Sequence, residues 1–268
     1  MFIRKFIYLI VMLSLSPIVT ATGVIEIDFV YVGDTKHSSL LGIRQGIDES
    51  NLQGQFLNQK YNLDLVAINN IDKYDFSKYI AVLTSLNTPQ LKKLAKQLPD
   101  MPVFNLADEN NELRLNCFSN ILHIVPSSKM KSDALEQLQI KKPNSTAKPK
   151  SWHYSFVKFA ARDLNKRFKK NYQKKMNDHS WAGWAAVKMT SDTVARTQIS
   201  NPKKMLKYLK EDLSFDGQKG SDMNFRATGQ LRQLILLVEN DKIVAEAPIR
   251  GVAKPPTLDS LGILECEN

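Results

Sequence analysis

Residues 103–139 read VFNLADENNELRLNCFSNILHIVPSSKMKSDALEQLQ. The stretch predicts a buried strand from Pro102 to Leu106, then an irregular polar segment holding Asp108, Glu109 and Cys117. A second strand from Ile121 to Val125 and a capped helix from Ser127 to Gln139 complete it.

The same alternation extends upstream. Val24 to Val32 is nearly continuous in apolar character, as suits a strand covered on both faces, and Gly33-Asp34-Thr35 ends it. Leu40, Leu41, Ile43 and Ile47 recur at helical spacing across Ser39 to Asn51, with Gly54 as the expected stop. Leu63 to Ile68 and Tyr79 to Leu83 read as strands. Thr88 reads as a helix cap with Pro89 at the first helical position. The fold class is therefore α/β: a parallel sheet flanked by helices and joined by right-handed crossovers.

Ligands of such sheets bind beyond the carboxyl ends of the strands, where strand order reverses. Those ends are Gly33-Asp34-Thr35, Thr84-Ser85 and Asn105 to Asp108. The candidate ligand contacts are Thr35 and Lys36 at the head of the first helix, the neutral groups of Ser85 and Asn105, and Asp108. Ordinary caps and turns, or a solvated loop at Asp108-Glu109, account for the same residues.

Downstream of Lys141 the pattern changes. Residues 141–150 hold turn formers without periodicity and read as a basic linker. A long amphipathic helix is expected next, with Trp152, Phe156, Phe159, Ala160, Leu164 and Phe168 on one stripe. Trp181, Trp184, Val187 and Val194 mark a second helix, and Asn201-Pro202 opens a third. These form an added helical segment over 151–212. Turns at Asp216-Gly217 and Lys219-Gly220 lead to a C-terminal hairpin of Leu231–Glu239 and Lys242–Ala247 joined by Asn240-Asp241. Residues 213–268 are expected to return to the α/β lobe of residues 22–140.

The charge is concentrated. The chain carries +10, while residues 141–175 hold twelve Lys or Arg and one acid, Asp163, for +11. A helix face bearing Arg162, Lys166, Arg167, Lys169 and Lys170, followed by Lys174 and Lys175, favours an acidic partner protein or an anionic envelope surface. A solvated lysine-rich face is the plainer alternative.

Residues 1–21 read as a signal peptide. Arg4 and Lys5 precede an apolar run from Phe6 to Val19, and Val19-Thr20-Ala21 supplies small residues before a cut after Ala21. A membrane anchor needs about 20 continuous apolar residues, and this run is shorter. A periplasmic location follows as an expectation, and it argues against nucleic acid as the basic segment's partner. In an oxidising compartment Cys117 and Cys266 are expected to pair, tying the tail to the first lobe.

Catalytic chemistry is not legible. His37, His123, His153 and His179 are scattered, without metal-ligand spacing, and neither a nucleophile elbow nor a phosphate-binding glycine loop occurs. His123, inside an apolar strand, reads as a core residue. No enzyme, cofactor or metal is expected.

Three blocks carry a family resemblance: Ile47 to Leu63; Phe104 to Leu138 with Leu113-Arg114, Cys117, His123 and Pro126-Ser127; and Phe215-Asp216-Gly217 through Gly229-Gln230-Leu231-Arg232-Gln233 to Leu258-Asp259-Ser260-Leu261-Gly262-Ile263. Their order resembles the type I periplasmic solute-binding proteins, in particular the ABC transporter substrate-binding branch associated with quinoprotein (PQQ-dependent) alcohol catabolism. The resemblance implies a binding protein that works with an ABC permease or a quinoprotein dehydrogenase system. It also implies a departure, since only the 141–150 linker stands where the family places most of a second lobe. A single lobe leaves a ligand half exposed unless a homodimer completes the cleft. Trp152, Trp181 and Trp184 must then either repack onto the lobe or form an interface.

Overall fold

A computed structural model describes residues 23–267; the expected signal segment and its cut after Ala21 lie outside them. The apolar run after Gly23 forms β1 (Ile25–Val32) at the centre of a parallel sheet. Its side chains alternate, Ile27, Phe29 and Tyr31 entering one hydrophobic cluster and Val30 and Val32 another. β2 (Gln59–Val66), β3 (Tyr79–Thr84), β4 (Val103–Asn105) and β5 (Ile121–His123) complete the sheet in the order β2-β1-β3-β4-β5. The chain leaves β1 for one edge and then crosses back to β3, so strand order reverses between β1 and β3.

Helices cover both faces. On one side lie α1 (Ser39–Leu57) and, from later in the chain, α5 (Ala161–Tyr172), α6 (Asp178–Thr197) and α7 (Pro202–Glu211). On the other lie α2 (Thr88–Gln97) and the short α3 (Asn111–Leu115), through Leu91, Leu94 and Leu113. α4 (Ser128–Lys141) packs through Met130, Ala134 and Leu138 on a second, antiparallel sheet. That sheet has the order β6-β7-β8, from β6 (Lys148–Lys150), β7 (Ile235–Glu239) and β8 (Lys242–Ala247). Asn240 and Asp241, at φ 49° and 59°, make the left-handed turn expected between β7 and β8.

Part of the tail lies against the parallel sheet, while its hairpin, β7 and β8, pairs instead with β6 in the second sheet. His123 donates its backbone N–H to Gly229 O at 2.8 Å and accepts from Leu231 N at 3.0 Å, so the Gln230 segment covers the β5 edge. Cys117 and Cys266 are disulfide-bonded with Cα atoms 5.7 Å apart, and Glu267 N donates to Leu115 O at 3.0 Å. Trp152, Trp181 and Trp184 are all buried, with the first two stacked at 5.8 Å between ring centroids. They repack onto the lobe.

Four local expectations are corrected. α1 runs through Gly54 to Leu57 and ends at left-handed Asn58; Gly54 is needed for close approach, since a Cβ there would lie 2.3 Å from Gln59 O. The cap of α2 is Asn87, whose side chain accepts from Gln90 N, while Thr88 turns its hydroxyl to Asp108 Oδ2 at 2.6 Å. The 141–150 linker is structured at its ends: Lys141 closes α4, and Lys148–Lys150 pair with Leu236–Val238. Finally, no helix spans Trp152 to Phe168. Phe159 and Ala160 are left-handed (φ 50° and 64°), and Asn165 Nδ2 donates to the carbonyls of Tyr154 and Phe156, so a helix begins only at Ala161.

Candidate functional site

The reversal of strand order brings the ends of β1 and β3 together. Gly33 must be glycine there, because a Cβ would lie 2.2 Å from Ser85 Oγ. That closeness lets Tyr31 Oη lie 2.7 Å from Ser85 Oγ while donating to Asp34 O at 2.9 Å. Burial pushes the Tyr31 phenol up, which keeps it a neutral hydrogen-bonding group. The Asp34 carboxylate accepts from Lys36 N at 2.8 Å and shapes the turn into α1.

Two helix N-termini meet at the same edge. His37, before α1, lies 2.8 Å from Ser39 Oγ through Nδ1, and its ring centroid is 4.7 Å from that of His179 in the first turn of α6. His179 Nδ1 donates to Leu106 O at 3.0 Å, which places the ring against the end of β4. Burial, and then the charge of His179, hold His37 below the ordinary imidazole range. The structure therefore brings Thr35, Lys36 and Ser85 to one edge and adds His37 and His179, which the scattered histidine spacing did not reveal.

Asn105 and Asp108 belong instead to a supporting network. Asn105 is fully buried: Nδ2 donates to Asp108 O at 2.7 Å and lies 2.9 Å from His123 Nδ1, while Oδ1 accepts from the backbone of Ala107 and Asp108. Asp108 accepts from Thr88 Oγ1 and Asn110 N. Beneath them Arg114, fully buried, donates to the carbonyls of Asp108, Asn110 and Val125 and to Gln230 Oε1. His123 is a core residue, as expected, held well below its ordinary pKa by burial and then by Arg114.

The basic segment forms the outer surface of α5. Leu164 and Phe168 are buried against the lobe, while Arg162, Lys166, Lys169 and Lys170 are exposed. Among the described residues these four and Lys174 make no ion pair, whereas Arg167 Nε is 2.7 Å from Glu49 Oε1. Glu49 also accepts from Trp184 Nε1 at 2.8 Å, so Arg167 pins α5 to α1. Gln173 ends α5 in a left-handed turn, after which Lys175 Nζ sits 3.7 Å from the Tyr154 ring centroid. A groove of about 260 Å³ opens between these elements. A larger cleft of about 590 Å³ lies elsewhere, between α6 and residues 213–222. Among the described residues no three His, Cys, Asp or Glu gather as a metal site, and no helix is long and apolar enough to cross a membrane.

No family model matches the chain, and no curated protein matches it. Solved structures do. A branched-chain amino acid ABC transporter periplasmic ligand-binding protein from Burkholderia xenovorans LB400 aligns at TM-score 0.70 and 11% identity, over 82% of this chain and 95% of the other. A periplasmic binding protein from Burkholderia mallei aligns at 0.66 and 8%, over 84% and 95%. A leucine-binding protein from Thermotoga maritima MSB8 aligns at 0.60 and 11%, over 83% and 98%. Likeness at this identity establishes the fold: the parallel sheet flanked by helices is that of the type I periplasmic binding proteins.

Proposed function

We propose that this chain is an exported, non-enzymatic binding protein built on one type I lobe, whose working surface is the basic face of α5. The parallel sheet of that lobe comes from residues 25–123, and the helices of 151–212 pack on one of its faces rather than forming the remnant of a second lobe. The observation that carries the reading is that Arg162, Lys166, Lys169, Lys170 and Lys174 stand without carboxylate partners among the described residues. Clustered free cations attract an acidic protein or envelope surface. A permease or a quinoprotein dehydrogenase system is the partner that the three-block resemblance suggests.

Association with periplasmic or envelope fractions tests this. Attraction through exposed charges weakens as the screening length shrinks to about 8 Å at physiological salt. Binding at low salt that is lost at moderate salt, and lost in a variant with Arg162, Lys166, Lys169 and Lys170 replaced by Gln, supports the reading. Salt-insensitive or absent association sinks it.

A second reading is a small-molecule binding protein that completes its cleft by dimerising. It is favoured by the meeting of Thr35, Lys36, His37, Ser85 and His179 where strand order reverses. A ligand selective for the native state raises its melting temperature. A screen of alcohols, short organic acids and amino acids that produces no shift removes this option.

A further inference from the structure

The loop that leads into α5 exposes apolar side chains beside the helix's cations. Val157 is 51% and Phe159 52% exposed. Phe159 and Ala160 are consecutive left-handed residues, a conformation disfavoured for any side chain with a Cβ. The Phe159 ring also leans over Gly220, where a Cβ would lie 2.4 Å from its ring atoms. The fold thus holds an aromatic ring half in water, in a backbone geometry it resists, at the head of a cationic stripe.

Arg162, Lys166 and Lys169 follow one another at helical spacing, and Lys175 joins them from beyond the end of α5. These four line the groove of about 260 Å³ together with Tyr154 and Val157, and no carboxylate lines it. The carboxylates nearby are mostly engaged: Glu246 by Lys158 at 2.6 Å and Glu49 by Arg167, with Asp241 beside His153. Asp163, in the first turn of α5 itself, does not line the groove. The apolar face of α5 is spent on the core, so contact with a lipid interface would rest on its exposed cations and on Val157 and Phe159 beside them.

We propose that this face docks on an anionic phospholipid surface, with a phosphodiester headgroup in the groove and Val157 and Phe159 entering the interfacial layer. The inference rests on the reading of α5 as the working surface and names its partner class. Charge complementarity selects the occupant, because four cations on one face match a surface that presents many singly charged phosphodiesters side by side, one of them in the groove. The two exposed apolar side chains then gain burial on contact.

Sedimentation of the full chain with vesicles tests it. Vesicles of mixed phosphatidylglycerol and phosphatidylcholine are expected to bind the protein at low salt, and pure phosphatidylcholine vesicles are not. Each removed cation is expected to lower partitioning about fivefold, so Lys166→Gln with Lys169→Gln lowers it roughly 25-fold. Phe159→Ser lowers it with an unchanged salt slope. These residues are exposed, and an unchanged melting curve confirms that the variants fold. Equal binding to neutral vesicles, or unaltered binding by the double variant, overturns the proposal. So does absence of vesicle binding while glycerol phosphate raises the melting temperature. If vesicles fail but a salt-sensitive acidic protein partner is retained, the lipid inference falls and the basic-surface reading stands.

Discussion

Gly42 of α1 and Ser180 of α6 meet backbone to backbone: a Cβ on Gly42 would sit 1.7 Å from the Ser180 carbonyl oxygen. The contact is reciprocal a turn away, where a Cβ on Gly183 would lie 2.2 Å from Ser39 O. The two helices run side by side in the same direction, and their N-termini are thereby delivered to the strand ends where the His37 and His179 rings meet at 4.7 Å, tilted by 59°.

Gly42→Ala should force the helices apart. Overpacking of this kind typically costs about 1–3 kcal/mol, and the upper end is expected because the neighbour here is backbone that cannot rotate away. Urea unfolding checks the loss, and the displacement should also separate the His37 and His179 rings.

Lys219 should make stability pH-dependent above neutrality. It is fully buried, with Nζ 2.8 Å from Gln233 Oε1 and 4.0 Å from the Trp181 ring centroid. Burial pushes it from 10.5 down to about 7, against the pull of Asp178. Above about 7 the unfolded chain keeps a proton that the native state has released, so stability rises with pH toward 10.5; below 7 both forms are charged and that gain is absent. The slope approaches about 1.4 kcal/mol per pH unit. Lys219→Met should flatten the unfolding free energy between pH 7 and 9.

The Cys117–Cys266 bridge closes a long loop, with 149 residues of sequence separation. Cys266→Ser, or reduction of the native protein, should cost about 2–5 kcal/mol in chemical denaturation. An equal midpoint with and without reductant would contradict this.

His37 should titrate below 6.5, with His179 as one cause. As pH falls through that value the unfolded chain takes up a proton before the native state does, so this group lowers stability on acidification. Replacing His179 with Gln should move the His37 midpoint upward, as followed by NMR of the imidazole resonances.

Arg167 should behave unlike its basic neighbours. Glu49→Ala leaves both the Arg167 guanidinium and the Trp184 indole N–H without their acceptor, and should cost about 1–3 kcal/mol. Arg167→Gln should lower stability more than it lowers binding to an acidic surface, whereas Lys169→Gln should do the reverse.

The α/β lobe was legible because its strands are buried on both faces and so read as apolar runs, as in Phe29 to Val32 and Tyr79 to Leu83. The disulfide was legible from the cysteine count, and the Asn201-Pro202 helix start from local backbone chemistry alone. The misread helix at Trp152 fails for a different reason. Its aromatic spacing is helical, but left-handed Phe159 and Ala160 break the run, and Asn165 of α5 reaches back to donate to the carbonyls of Tyr154 and Phe156. Arg114 entered only through the family resemblance, and its burial was not legible, because one acceptor, Gln230 Oε1, lies 116 positions away.

Sequence by itself determined the class of fold, the apolar strands, the Asn201-Pro202 helix start and the concentration of charge after Lys141, because each depends on residues close together in the chain. Only the tertiary structure decided which charges remain free. Arg167 and Lys169 are two residues apart on one helix, yet one is bound by Glu49 and the other faces solvent. Hydrogen bonds and ion pairs are settled by which distant elements a side chain meets, and that meeting exists only once the helices have packed.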